Sequence, residues 1–210
     1  MPAAKVVDPF GSPDSQTITG VGCLCEVMLL EQKYDKHGQL TTKQTGGSKI
    51  EADFSQHALV QLQIYNEKHK LVVSKLEINS PYILQALDTV VQFYPDNPTP
   101  FDEPTTIESP YMVLCHHWEE LSSYATTQGD EARMHLNLLL GLMEREMGAD
   151  KRKYERLLAV GHTTFPFLWT ICKPGNLLSA EKCGQYRLYR LLRFTYGEDP
   201  SLGRCCDLVF

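Results

Sequence analysis

Several features that would reveal a protein's role are missing from this sequence of 210 residues. It has no run of 18 uncharged apolar residues, so we expect no transmembrane helix and no membrane partner. Residues 1–14 lack the apolar stretch of a secretory signal, and we therefore expect an intracellular chain, cytoplasmic or nuclear. Basic residues number 20 against 26 acidic ones, and the formal net charge of −6 argues against binding to nucleic acid.

A phosphate-binding loop is also absent. A Walker A loop needs glycines followed by Lys and then Ser or Thr, so that backbone N–H groups and the ammonium surround the phosphates. The nearest approach, Gly46-Gly47-Ser48-Lys49, lacks the first glycine at the required spacing and places Ser before Lys. We interpret it as a flexible turn. We predict that the chain neither binds nor hydrolyses ATP through such a loop, and that it uses no cofactor.

Cysteine is present, but not in the pattern of a disulfide framework or a zinc site. The chain has seven cysteines, an odd number, and we expect reduced thiols that mostly act as small buried hydrophobic side chains. They are Cys23, Cys25, Cys115, Cys172, Cys183, Cys205 and Cys206. No two pairs of ligands occur at zinc spacing, so we predict no metal site.

The triplet Cys115-His116-His117 is the one place where the sequence groups a nucleophile with potential bases. Neighbouring residues of a helix point about 100° apart, so His116 and His117 are poorly placed to share one metal ion. Two interpretations remain open. Either Cys115 faces the core while the histidines pack or cap, or the triplet is the centre of a small cysteine- and histidine-dependent enzyme.

The hydrophobic periodicity predicts strands first, then helices, then strands again. Strands are expected at 23–34 and from Leu40, and a hairpin at 58–65 and 71–78. Ser80 is expected to cap a helix whose apolar face extends to Tyr94. A long connection rich in proline then covers 95–110.

Three further helices are predicted after this connection, from Tyr111 to Thr126, from Asp130 to Gly148, and from Asp150 to Gly161. The run 163–172 is aromatic and β-branched and predicts a strand in which Phe167 and Trp169 are buried core anchors. Further strands are expected at 177–179, 186–196 and 205–210.

These patterns predict an α+β fold. A mostly antiparallel sheet would be built from the N-terminal and C-terminal strands, with a central block of about four helices packed on one side. Residues 1–19, which are rich in proline, glycine and serine, are expected to form a disordered arm. Residues 20–210 would then form a single domain.

The C-terminal strands carry the candidate interaction residues. Arginines alternate with aromatic residues here, a pattern that some sheets use to hold single-stranded nucleic acid, but the acidic net charge argues against that partner. The apolar end of the chain predicts a strand at a sheet edge that a protein partner or a second copy would cover. The candidates are Arg187, Arg190, Arg193, Leu208 and Phe210.

Several segments resemble a known family in the order in which they occur. They are Glu77 to Pro81, Pro110-Tyr111 with His116-His117, His135 to Leu140, Phe165 to Gly175 and Tyr186 to Leu191. Over residues 57–210 the chain resembles an uncharacterised domain of filamentous fungi that usually lies N-terminal to an AAA+ ATPase core. The resemblance implies a non-catalytic recognition or regulatory module. In relatives a longer β-rich segment follows the Tyr-Arg-Leu strand, so we expect this domain to be incomplete at its C-terminus.

Overall fold

The computed structural model describes residues 20–35, 37–45, 54–95, 100–201 and 203–210. The predicted disordered arm at 1–19 and the turn at 46–49 lie outside the described residues. Within the described ranges the α+β class is confirmed, because the chain forms a five-stranded sheet, two small sheets and a set of helices.

A five-stranded sheet forms the centre of the molecule. Its strands are β1 (Leu24–Tyr34), β2 (Leu40–Gln44), β3 (His57–Tyr65), β4 (Leu71–Ile78) and β5 (Thr105–Glu108). Their order is β2-β1-β3-β4-β5. The β1–β3 pair is parallel and the other three pairs are antiparallel, so the sheet is mostly antiparallel, as predicted. The strand β5 lies inside the connection at 95–110, where sequence patterning indicated none.

One row of side chains across the sheet shows which face is covered. Pairing places Leu29, Gln61, Leu76 and Ile107 side by side on the same face. Leu76 and Ile107 belong to the main core, together with residues from all four α helices. The opposite face carries a smaller apolar cluster in which Met28, Leu30 and Val60 are buried with Phe54 and Leu62 against them.

The helical layer consists of α1 (Pro81–Val90), α2 (Met112–His116), α3 (Trp118–Thr126) and α4 (Asp130–Ala159). The predicted cap of α1 is confirmed, since Ser80 Oγ accepts the Ile83 N–H at 3.3 Å and Pro81 occupies the first turn. This helix ends at Val90 rather than near Tyr94, although Tyr94 is buried beyond its end.

The predicted stop at Gly148 and the predicted cap at Asp150 are wrong, because α4 continues through both as one helix of 30 residues. A glycine inside a helix costs only about 1 kcal/mol. Burial of Met143 and Met147 just before it, and an ion pair between Arg152 and Glu144 across it, offset that cost. None of the helices formed by described residues is both long and apolar enough to cross a membrane.

The strand predicted at 163–172 is instead a 3₁₀ helix, Phe165–Thr170. Pro166 fixes φ and has no N–H for a strand ladder, and the Phe167 N–H closes a turn on the Thr164 carbonyl at 2.8 Å. The expected burial of Phe167 and Trp169 is nevertheless confirmed. The hydrophobicity of this segment therefore predicted that it is buried, whereas Pro166 favours a 3₁₀ helix over a strand.

The C-terminal strands do not join the central sheet, contrary to the predicted arrangement. They form two separate two-stranded sheets, β6 (Leu177–Lys182) with β7 (Gln185–Arg190) and β8 (Arg193–Asp199) with β9 (Gly203–Val209). The strand expected at 186–196 is divided at Leu191, whose side chain is fully buried in the molecule. We call residues 177–210 the C-terminal ribbon.

Candidate functional site

Cys115 lies on the buried side of α2, in a short helix between β5 and α3. Its Sγ atom is 3.4 Å from Tyr154 Oη on α4, and it forms no described hydrogen bond with either neighbouring histidine. Burial raises the pKa of the Cys115 thiol. A raised pKa favours the neutral thiol over the nucleophilic thiolate, so this environment is the opposite of an activated cysteine.

His116 is held at both ring nitrogens. Nε2 lies 2.8 Å from the Trp169 carbonyl, which can only accept, so Nε2 carries the proton. Nδ1 then accepts the hydroxyl of Tyr94 at 3.0 Å. Burial lowers the pKa of His116 to about 4. The ring thus joins α2 to the 3₁₀ helix as a neutral link, with no free lone pair for a substrate.

His117 turns back onto its own helix. Its Nδ1 lies 2.8 Å from the Val113 carbonyl and therefore donates to it, and burial lowers the pKa of this ring as well. The three side chains of the triplet thus have different partners, Tyr154, Trp169 with Tyr94, and Val113. No three His, Cys, Asp or Glu side chains in the described ranges are grouped so that they could hold a metal ion.

A half-open cleft of about 360 Å³ lies beside His116, between β5, α2 and β8. Its floor includes Ile107, Val113 and Phe194, and its rim includes Glu108 and Ser109. Among the described residues that line this cleft there is one histidine, His116, and both of its ring nitrogens are engaged, so it is not available as the base that the enzyme interpretation needs.

Tyr111, next to this cleft, has a left-handed backbone with φ of 54°, which is strained for a bulky residue. Its side chain explains why the strain is tolerated. The buried hydroxyl donates to Ser74 Oγ at 2.7 Å, and Gln61 Nε2 donates to the same oxygen at 3.2 Å. Arg145 completes the network by donating to Gln61 Oε1 at 3.0 Å. These bonds tie the turn before α2 to the sheet, which is a structural role.

Among the described residues, those of the C-terminal ribbon include several large apolar side chains that are exposed to water. Tyr186 is 79% exposed, Leu188 72% and Leu177 63%. All three lie on the same face of the β6–β7 hairpin. Tyr186, Leu188 and Arg190 alternate along one face of β7, and Leu177 is directly opposite Arg190. Grouped apolar exposure of this kind is typical of a contact surface.

The backbone of β7 shows which groups remain unpaired. The Leu191 N–H donates to the Asn176 carbonyl on the β6 side at 2.9 Å. In an antiparallel pair the backbone groups of alternate residues point to the same neighbour, so the N–H and C=O groups of every second residue from Leu191 back to Gln185 point towards β6. The N–H and C=O groups of Tyr186, Leu188 and Arg190 therefore point away from β6. No described strand pairs with that edge. It is an open strand edge with an apolar centre.

The five predicted interaction residues all lie on this ribbon, but not on one surface. Arg187 and Arg190 point to opposite faces of β7, and Arg193 begins β8. The Arg190 guanidinium lies over the ring of Phe93 at 5.9 Å. Leu208 pairs with Phe194 in the β8–β9 sheet, and the Phe210 ring contacts Tyr189 at 5.2 Å.

The sequence-based list omitted the residues that dominate the exposed face, Tyr186, Leu188 and Leu177. The sequence carried only part of the signal for them, a glycine at position 184 between two runs that can form strands. The two-residue turn Cys183-Gly184, in which both residues have positive φ, follows a run of six residues and precedes another, as in a tight hairpin. Two strands of this length without other neighbours leave both faces in water.

Comparisons with protein families, with curated proteins and with solved structures find no match to this chain. The likeness to the fungal domain that precedes AAA+ ATPase cores therefore stays a prediction.

Proposed function

We propose that this chain is a non-catalytic recognition module that binds an extended protein strand at the open edge of β7. The observation that carries the proposal is the exposed hairpin, where Tyr186 and Leu188 lie in water next to unpaired backbone groups. An incoming strand would hydrogen-bond to that backbone and cover both side chains.

The chemistry of β7 specifies the side chains of the partner strand. Arginines of the ribbon lie over aromatic rings, Arg190 over Phe93 at 5.9 Å and Arg204 over Phe165 at 5.3 Å. A strand that places aromatic residues opposite Arg187 and Arg190 would extend this pattern, since each cation–π contact contributes about 0.5–1 kcal/mol at an exposed site. An apolar residue opposite Leu188 would complete the match.

The role of a recognition module agrees in kind with the resemblance to a domain that precedes AAA+ ATPase cores. In that setting the module would contact a substrate or regulator while the ATPase core supplies the energy. The seven cysteines are free thiols, one of them, Cys183, exposed at the hairpin turn. Free thiols suit a reducing compartment, so we also propose a cytoplasmic or nuclear location.

Fluorescence anisotropy with a labelled strand peptide tests the proposal. The peptide Thr-Tyr-Thr-Leu-Tyr-Thr-Thr places tyrosines opposite Arg190 and Arg187, and leucine opposite Leu188, when it pairs antiparallel to β7. We expect a dissociation constant on the order of 100 µM, because one short added strand buries little surface. The peptide with both tyrosines replaced by arginine is expected to bind at least tenfold more weakly.

Two proline variants locate the binding edge. Leu188→Pro removes an N–H from the open edge of β7, whereas Ser179→Pro removes one from the open edge of β6, directly across the same hairpin. We expect binding to disappear in Leu188→Pro and to persist in Ser179→Pro. Absence of saturable binding to the wild-type chain at millimolar peptide, or equal binding by both variants, would refute the proposed function.

A further inference from the structure

The order of side chains along β7 suggests which strand fits its open edge. From residue 186 the strand reads Tyr-Arg-Leu-Tyr-Arg. When a second copy of this segment pairs antiparallel about Leu188, Leu188 meets Leu188, Tyr186 meets Arg190 and Arg187 meets Tyr189. Every arginine is then opposite a tyrosine, and no arginine is opposite an arginine.

The backbone supports the same alignment. When two strands pair through their open edges, the residues whose backbone N–H and C=O groups point away from the rest of the sheet must lie opposite one another. On β7 these outward-facing residues are Tyr186, Leu188 and Arg190. The pairing about Leu188 meets this condition at all three positions. A shift of one residue would place an outward-facing residue opposite an inward-facing one, so the hydrogen-bonding pattern and the side-chain match select the same register.

The length of the free edge limits the contact. The Leu192 N–H donates to the Val209 carbonyl at 2.8 Å, so β9 occupies the same edge immediately beyond Leu191. Phe210, whose ring contacts Tyr189, marks this end of the free segment. The paired segment is therefore the five residues 186–190, which suits a weak, reversible contact rather than an obligate interface.

We propose that two copies of this chain associate through antiparallel pairing of β7 with β7, giving a continuous four-stranded sheet across a two-fold axis. This inference rests on the proposed function and names a second copy of the chain as a partner strand. A contact made by a patch with itself closes after two copies, so we expect dimers and not fibres. With an interface at or below about 1,200 Å² in total, the dissociation constant is expected to be micromolar or weaker.

Sedimentation velocity over a hundredfold concentration range tests the inference on the full chain. We expect a concentration-dependent shift from monomer to dimer in the wild type and in Ser179→Pro, and a monomer throughout in Leu188→Pro. A strictly monomeric wild type, or a dimer that persists in Leu188→Pro, would overturn the inference. Circular dichroism of each variant checks that the rest of the fold is retained.

Exchanging the residues at positions 186 and 190 tests the register of the proposed pairing directly. Tyr186→Arg alone places two arginines opposite one another at both ends of the pairing, and we expect the dimer to weaken at least tenfold. Adding Arg190→Tyr restores an arginine opposite a tyrosine, and we expect dimerisation to return. Failure of the double variant to recover, with a dimeric wild type, would show that the register about Leu188 is wrong.

The peptide experiment separates this inference from the proposed function. If the wild type is monomeric but binds the tyrosine-containing peptide through β7, recognition of a strand stands and self-association fails. If neither occurs, both fail.

Discussion

Similar strand-forming residues are buried in the central sheet, which is covered by helices, and exposed in the C-terminal ribbon. In the sheet, Leu59 and Leu76 are fully buried beneath the helical layer. Among the described residues of the ribbon, only Leu191 and Phe194 are buried, while Tyr186 and Leu188 lie in water. The comparison shows that strand-forming residues build a core only where another layer covers them.

The difference begins in the sequence of each strand. β3 reads His-Ala-Leu-Val-Gln-Leu-Gln-Ile-Tyr and is apolar on both faces near its start, so it suits a strand covered on both sides. β7 reads Gln-Tyr-Arg-Leu-Tyr-Arg and places one arginine on each face, so neither face can be buried without pairing a charge. We therefore expect local opening of the ribbon at a free energy well below that of global unfolding.

Truncation of one leucine in each region should give the largest contrast. Leu76→Ala creates a cavity at a fully buried position and is expected to lower the free energy of unfolding by about 2–5 kcal/mol. Leu188→Ala removes a side chain already in water and is expected to change it by less than about 0.5 kcal/mol. Urea denaturation followed by tryptophan fluorescence measures both. Equal losses would show that the ribbon is part of the cooperative core.

The link between the regions should be sensitive to pH. The pKa of His116 lies near 4 in the folded chain, below its usual 6.5, so the unfolded chain binds the proton first as pH falls. The contribution of neutral His116 to the free energy of unfolding is therefore fully present above about pH 6.5. It falls by about 3 kcal/mol as the pH is lowered towards 4. Denaturation midpoints between pH 7 and 4 measure this loss.

His116→Gln is the matched control for that measurement, since its side-chain amide offers an NH₂ donor group and a carbonyl acceptor but does not titrate. Its loss of stability over the same pH range should be smaller than that of the wild type. A residual slope is expected from His117, whose pKa is also lowered by burial. An unchanged slope in the variant would show that His116 is not the group responsible.

The smallest expected effect concerns the ribbon alone. Ala180 pairs with Arg187 at a position whose N–H faces β7, so Ala180→Pro should break the β6–β7 hairpin. We expect faster amide exchange throughout residues 177–190 with a change of less than about 1 kcal/mol in global unfolding. Exchange measured by mass spectrometry, beside urea denaturation, separates the two quantities. A large global loss would remove the distinction between the regions.

The sequence predicted the central sheet better than the segments after Gly148. In β3 and β4 the predicted strands and the turn between them agree with the structure, although Gln61 is buried while Leu71 and Val72 are exposed. The cap at Ser80 follows from local chemistry alone. At Gly148 and Asp150 the local stop signals were overridden by packing of α4 against its neighbours. Such packing depends on residues far away in sequence, which periodicity does not contain.

The candidate site shows the same limit. Adjacency of Cys115, His116 and His117 was visible in the sequence, but their partners Tyr154, Trp169 and Val113 come mostly from later segments. Whether three neighbouring groups converge or diverge depends on those partners. The exposed strand β7 was predicted as a strand, whereas its isolation from the central sheet followed from tertiary structure.

The order of elements has a consequence for synthesis on the ribosome. The last strand of the central sheet ends at Glu108, whereas α4, which helps to cover its apolar face, contributes buried apolar side chains up to Met147. These positions lie 39 residues apart, which at roughly 5–20 residues per second corresponds to about 2–8 s of translation. For that interval the nascent sheet has α1 but lacks the cover that α4 provides, so this stretch of the chain is where we expect chaperones to engage.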